Sequence, residues 1–260
     1  MEEKVKDSKN KQLRSFEMKR NILGLFVVIG LLLVACGDYE YVEASTNDGI
    51  TGIFITEYKG SAKDLKIPSK IKGLPVISIG GLNMTGFNVF KDKQLTSVTI
   101  PDTVVFIGPS AFENNNLTSV IIPYSVRVID HHAFKNNKLT SVNIDNSIIV
   151  IGRSAFENNQ LTSVRIPDSI TKIEDSSFKN NQLSSVTIGN SVREIGYNAF
   201  QDNKITSIFI PDSVTKIGSG AFLNNQITSV NIPKSIGWVS VAAYNVFDPN
   251  VKIIGGDMNR

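Results

Sequence analysis

In 260 residues the sequence holds one cysteine, one tryptophan and two histidines. A single thiol excludes an internal disulfide framework. The histidines, His131 and His132, are neighbours that face opposite ways in extended chain. No cysteine or second histidine pair completes a zinc shell around them. Also missing are a G-x-S-x-G elbow, an H-E-x-x-H pair, a phosphate-binding glycine loop and a Cys/His nucleophile pair. The chain therefore reads as no enzyme, with no metal and no cofactor.

Charge is equally sparse once it is located. Residues 1–35 carry seven basic side chains (Lys4, Lys6, Lys9, Lys11, Arg14, Lys19, Arg20) against four acids (Glu2, Glu3, Asp7, Glu17), which accounts for the whole net charge of +3. From Cys36 onward twenty basic residues face twenty acidic ones. A general electrostatic affinity of the folded part for nucleic acid is not supported.

There is no apolar run long enough to be a permanent membrane span. Ile22 to Ala35 is 14 residues with Gly24 and Gly30 inside it, against the ~20 that a bilayer needs. Preceded by Lys19-Arg20, it has the size and flanks of a secretory signal. Leu33-Val34-Ala35-Cys36 resembles the bacterial lipobox, which implies a cysteine that takes a diacylglyceryl group and becomes the first residue of the mature lipoprotein. Signal peptides seldom carry a polar, acid-containing extension, so Met18 is the expected natural start. Residues 36–49 are then expected as the lipidated cysteine and a short polar tether of at most ~40 Å reach. The expected location is the extracytoplasmic face of the cell membrane.

What the sequence has in abundance is repetition. Copies of 22 residues begin at Leu95, Leu117, Leu139, Leu161, Leu183, Ile205 and Ile227, and a second column runs Phe90, Phe112, Phe134, Phe156, Phe178, Phe200, Phe222. The shared pattern is A-F-x-N-N-x-L-T-S-V-x-I-P-x-S-[IV]-x-x-I-G-x-x, and a fixed period of this length marks a solenoid. In the copy 155–176, Val164 and Ile166 are two apart and share one side of a strand, while Ser163 and Arg165 take the other. Pro167 ends that strand, and Ile170 and Ile173 begin a second extended piece. Ala155-Phe156 has room for one helical turn before Asn158-Asn159 breaks it. Such a coil cannot bury its apolar groups alone, but a stack can.

Leu161-x-x-Val164-x-Ile166 matches the leucine-rich repeat core, and the full pattern over residues 50–254 resembles the BspA-type leucine-rich repeats of bacterial surface proteins. The resemblance implies a curved, β-rich solenoid with a parallel sheet and short helical turns, and a surface-exposed, often adhesive protein without catalytic residues. Ser169 stands where the general consensus carries an asparagine after the strand. Residues 50–94, where Leu65-Lys66-Ile67-Pro68 and Val76 to Gly80 echo the two halves of a copy, read as a cap and divergent first repeat. Residues 95–248 are the seven regular repeats, with Ala243-Tyr244 standing in for Ala-Phe and Trp238 as part of a cap. Residues 249–260 supply a closing strand and tail.

The asparagine pairs are expected to turn the chain and bond backbone. Glu113, Lys135, Glu157 and Lys179 form a surface charge ladder. The outward strand position is the one that varies: Ile121, Asn143, Arg165, Thr187, Phe209 and Asn231 follow Thr99, each two residues after a serine. That column is the candidate binding face for an unidentified surface or matrix protein or glycan. The alternative is a structural envelope component without a specific ligand. The lipobox resemblance makes Cys36 the expected lipidation site. Cys36→Ser is expected to leave the precursor uncleaved and without fatty-acid label in metabolically labelled cells; unchanged processing and label would remove the lipoprotein assignment.

Overall fold

The structure is a computed structural model that describes residues 26–27, 34–46, 51–81, 88–237 and 245–257. Met18, Trp238, Ala243, Tyr244 and most of the leader lie outside the described residues. The chain winds as a parallel β-solenoid of about eight turns. Each regular coil has three stretches bonded to its neighbours, and the apolar columns of the repeat all point into one continuous core.

The N-terminal end is antiparallel. Strands β1 (Phe26–Val27) and β2 (Val34–Cys36) lie along the outer edge of β3 (Tyr39–Thr46), which pairs antiparallel with β4 (Thr51–Tyr58). Much of the stretch expected as a polar tether is thus a strand, with Tyr41, Val42 and Ala44 buried. Tyr39 and Tyr41 pack on one face of the sheet and Val42 and Ala44 on the other, an arrangement masked in sequence by Glu40 and Glu43.

From β4 onward the pairing is parallel. The sheet passes from β4 to β7 (Leu74–Ile79), reached through β5 (Asp64–Lys66) and β6 (Lys70–Ile71), and the Lys72-Gly73 turn between β6 and β7 has positive φ at both residues. The first strand face starts at β5, which pairs with β8 (Ser97–Thr99); β7 pairs with β9 (Phe106–Ile107), then come β10 (Val128–Ile129) and β11 (Val150–Ile151). Further along, β12 (Ser163–Arg165) pairs with β14 (Ser185–Thr187), and β13 (Lys172–Ile173) with β15 (Glu194–Ile195) and then β16 (Lys216–Ile217). The last rung is β17 (Ser229–Gly237) against β18 (Lys252–Asp257).

Among the described residues there is no helix, so the short helical turns expected at Ala-Phe are not formed. Their amides explain this. Phe112, Asn114 and Ser110 donate to Ala133, Lys135 and His131 of the next coil, while only Ala111 and Glu113 close turns within their own. Ser110 and Asn114 also have φ of 52° and 58°, values that a right-handed helix does not contain. Every second N–H therefore points along the stack, and no helical ladder can form.

The phenylalanines are the longest feature of the core. Phe90 through Phe222 and then Phe247 stack with ring centroids 5.2–5.6 Å apart and planes within 13° of parallel. Tyr58, tilted 53° on Phe90, ends the row, and Tyr39 covers Tyr58. Burial, then the neighbouring Tyr58 and Asp38, push the Tyr39 phenol up to about 12. At the other end, Val246-Phe247 takes the Ala-Phe place expected for Ala243-Tyr244: Phe222 donates its N–H to Val246 O at 2.9 Å, and the two rings stack at 5.2 Å. The last coil is three residues longer than the others at this point, 25 residues from Phe222 to Phe247 in place of 22.

The asparagine pairs divide their labour. The first member (Asn114, Asn136, Asn158, Asn180, Asn224) has φ of 53–58°, a conformation that asparagine tolerates better than most side chains. The second is buried and saturated. Asn159 Nδ2 donates to Phe134 O at 2.9 Å and Phe156 O at 3.2 Å, and its Oδ1 accepts the N–H of Leu139 at 3.0 Å. Asn115, Asn137, Asn181, Asn203 and Asn225 repeat the arrangement. Ser169, in place of the consensus asparagine, donates to Ile148 O of the previous coil at 2.6 Å, and Ser125, Ser147 and Ser235 do likewise.

Three stability outcomes follow from these contacts. Phe156→Ala removes a ring from the stack and should cost about 3–5 kcal/mol in denaturant melts. Asn159→Ala strands one buried N–H and two carbonyls, so it should cost at least ~1–3 kcal/mol, and more than Asn158→Ala. Ser177 fills the alanine column with a buried hydroxyl that has no partner; Ser177→Ala should raise the melting temperature, with a gain of up to ~1–3 kcal/mol.

Candidate functional site

The first strand face is regular because its inward neighbours are. Leu, Val and Ile at positions one, four and six of each copy are drawn into the core, which leaves positions two, three and five facing out. Ile121, Asn143, Arg165, Thr187, Phe209 and Asn231 are all exposed, Ile121 by 85% and Phe209 by 75%. The register fixes their neighbours: Arg165 lies opposite Thr187, and Ser163 opposite Ser185.

The column is longer than the repeat pattern indicates. Lys66 lies opposite Thr99 at one end and Ile254 opposite Asn231 at the other, which makes nine rungs. Lys66 was readable through Leu65-Lys66-Ile67, which echoes V-x-I. Ile254 was not, because the longer last coil shifts the period. Ile121 and Phe209 are four coils apart, so ~20 Å at the spacing of hydrogen-bonded strands. They are two separate apolar points on a polar ribbon and do not form one patch.

The hydroxyls of the ribbon differ by row. Thr140 Oγ1 and Ser184 Oγ make long bonds to the carbonyls of Thr118 and Thr162 in the preceding coil. Ser97 donates to Asp64. Ser119, Ser141, Ser163, Ser185, Ser207 and Ser229 are exposed, and among the described residues none of their hydroxyls has a hydrogen-bond partner.

Ion pairs lie on the other faces. Lys91 with Glu113 (3.0 Å), Lys135 with Glu157 (2.9 Å) and Lys179 with Asp202 (3.9 Å) run beside the asparagine turns. The expected charge ladder is thus broken into pairs, each partly exposed and worth under ~1 kcal/mol. On the second strand face Glu194 bridges Lys172 and Lys216. The hydrogen bond that His131 donates to the Asp130 carboxylate holds the His131 pKa above its usual value, while burial, then Lys135, lowers that of His132. Among the described residues no three His, Cys, Asp or Glu side chains are grouped to hold a metal.

Cys36 is exposed and ends β2, facing Tyr39 across a tight turn at Gly37. It therefore sits directly on the folded cap, with no free tether between. Among the described residues no helix is long and apolar enough to cross a membrane.

The BspA-type leucine-rich repeat region, in 6 copies, matches residues 83–203 and 128–250. The chain belongs to that family. No curated protein matches it. Among solved structures, a leucine-rich repeat protein from Bacteroides ovatus aligns with a TM-score of 0.60 at 20% identity, over 88% of this chain and 68% of that one. A leucine-rich cell surface protein from Faecalibacterium prausnitzii aligns with a TM-score of 0.57 at 26% identity, over 78% of this chain and 55% of its own length. The chain thus spans little more than half of the second relative.

Arg165 and Phe209 contribute nothing to the core. Arg165→Ala with Phe209→Ala should therefore leave the melting temperature within the few tenths of a kcal/mol typical of surface sites, ~0.5 kcal/mol at most.

Proposed function

We propose that this chain is a lipid-anchored protein of the cell surface whose first strand face binds another macromolecule, without chemistry. The observation that carries the reading is the ribbon itself: nine outward rungs on a rigid stack, varied in side chain, with Ile121 and Phe209 left in water. A solenoid acquires specificity by varying such positions while its core stays constant. Large apolar groups held in solvent are characteristic of contact surfaces. Family membership and the relative described as a cell surface protein support the location. Attachment through Cys36 would hold the N-terminal cap against the membrane and leave the ribbon free along its length.

The test is a binding screen of the purified protein against glycan and matrix-protein arrays, repeated with the Arg165→Ala, Phe209→Ala variant. At least ~10-fold weaker binding by the variant is expected, the loss of about 1.4 kcal/mol of contact energy. Full-strength binding by the variant would move the partner to another face. Silence across both arrays would favour a structural role in the envelope.

A further inference from the structure

From Gln94 onward, one side of this solenoid carries cations and no acid. From Gln94 to the end of the chain, thirteen basic and thirteen acidic residues balance. Four columns make up the ribbon and its near flank: the residue before each leucine, and the second, third and fifth of each copy. Not one of the thirteen acids falls in these columns. Lys138, Arg165 and Lys204 do, and all three are exposed. Lys204 Nζ donates to the neutral amide of Gln182 at 3.2 Å, and among the described residues the side chains of Lys138 and Arg165 have no partner. At the N-terminal end of the same face Lys66 is accompanied by Asp64, which accepts from Ser97.

The acids elsewhere are engaged or set apart. Glu113, Glu157 and Glu194 pair with lysines of adjacent coils on the other faces. Asp102, Asp168 and Asp212 lie beyond the proline corner that ends each strand. From Gln94 to Asn231 this face of an otherwise neutral rod therefore presents positive charge only, alongside the row of unpartnered serine hydroxyls.

We infer that the partner of this face is an acidic polysaccharide lying along the ribbon. The inference rests on the proposed binding function and names its ligand class. Charge complementarity sets the sign. The sparseness of the charge sets the polymer: three cations over seven coils match a chain with a carboxylate or sulfate at intervals, not one with a phosphate on every unit. Between the cations, the serine hydroxyls, Asn143 and Asn231 offer neutral donors and acceptors of the kind that sugar hydroxyls use. The coil spacing, 5.2–5.6 Å between stacked rings, repeats these groups at a regular interval.

The full chain is assayed by biolayer interferometry against immobilised hyaluronate and polygalacturonate, against neutral galactan, and against a matrix-protein panel. Lys138→Gln, Arg165→Gln and Lys204→Gln are combined in one variant, whose melting curve is recorded beside the parent to confirm that it folds. Binding to an acidic glycan that weakens at least ~10-fold in the variant, and falls as salt rises from 50 to 500 mM because screening shortens the reach of surface charge, is the expected result. Preference for galactan or a matrix protein, with affinity unchanged in the variant, would overturn the acidic ligand while leaving the binding function standing. No binding to any of the surfaces would count against both.

Discussion

A buried side-chain amide ties each coil of this solenoid to the one before it. The second asparagine of each pair donates to phenylalanine carbonyls of two successive coils and accepts a leucine N–H of the earlier one, as Asn159 does with Phe134, Phe156 and Leu139. A turn at this point would otherwise leave backbone groups unpaired in a dry interior, at a cost that a thin coil with one core could not offset. The stacked phenyl rings then gain their contacts only because the amide has fixed the coils in register. Side-chain amide and ring column act together, and the register of the outer face is inherited from both.

The same constraint explains why the turn at Ala-Phe is not helical. Its alternate amides are directed to the next coil, and left-handed residues bracket each phenylalanine. Three bonded stretches per coil leave little polypeptide free to wander, which is how 22 residues suffice for a complete turn. Variation is then tolerated where it touches nothing inside, along the outward rungs from Lys66 to Ile254.

Much of this was legible in the sequence, because periodicity reports directly on which side chains meet. The phenylalanine column, the two strand positions and the echo at Leu65-Lys66-Ile67 each follow from spacing alone. Two things did not. Residues 39–46 look like a polar tether because Glu40 and Glu43 interrupt the apolar residues, yet both faces of that strand are covered, and a pattern tuned to one buried face cannot reveal it. The final coil misled for a different reason: three extra residues move the aromatic from Tyr244 to Phe247, and only the stack on Phe222 shows which ring completes the column. The outer face was readable as varied and exposed; its register with Ile254 needed coordinates.

The uniform rung has a consequence for how such a chain can change its length. Since Asn137, Asn159 and Asn181 make interchangeable contacts with whatever copy precedes them, a duplication or deletion of one whole 22-residue unit splices without leaving a mismatched seam. The unlike ends, tyrosines at one and the enlarged coil at the other, would stay as they are. Such a gene can extend or shorten its product in quantised steps and keep the same fold throughout.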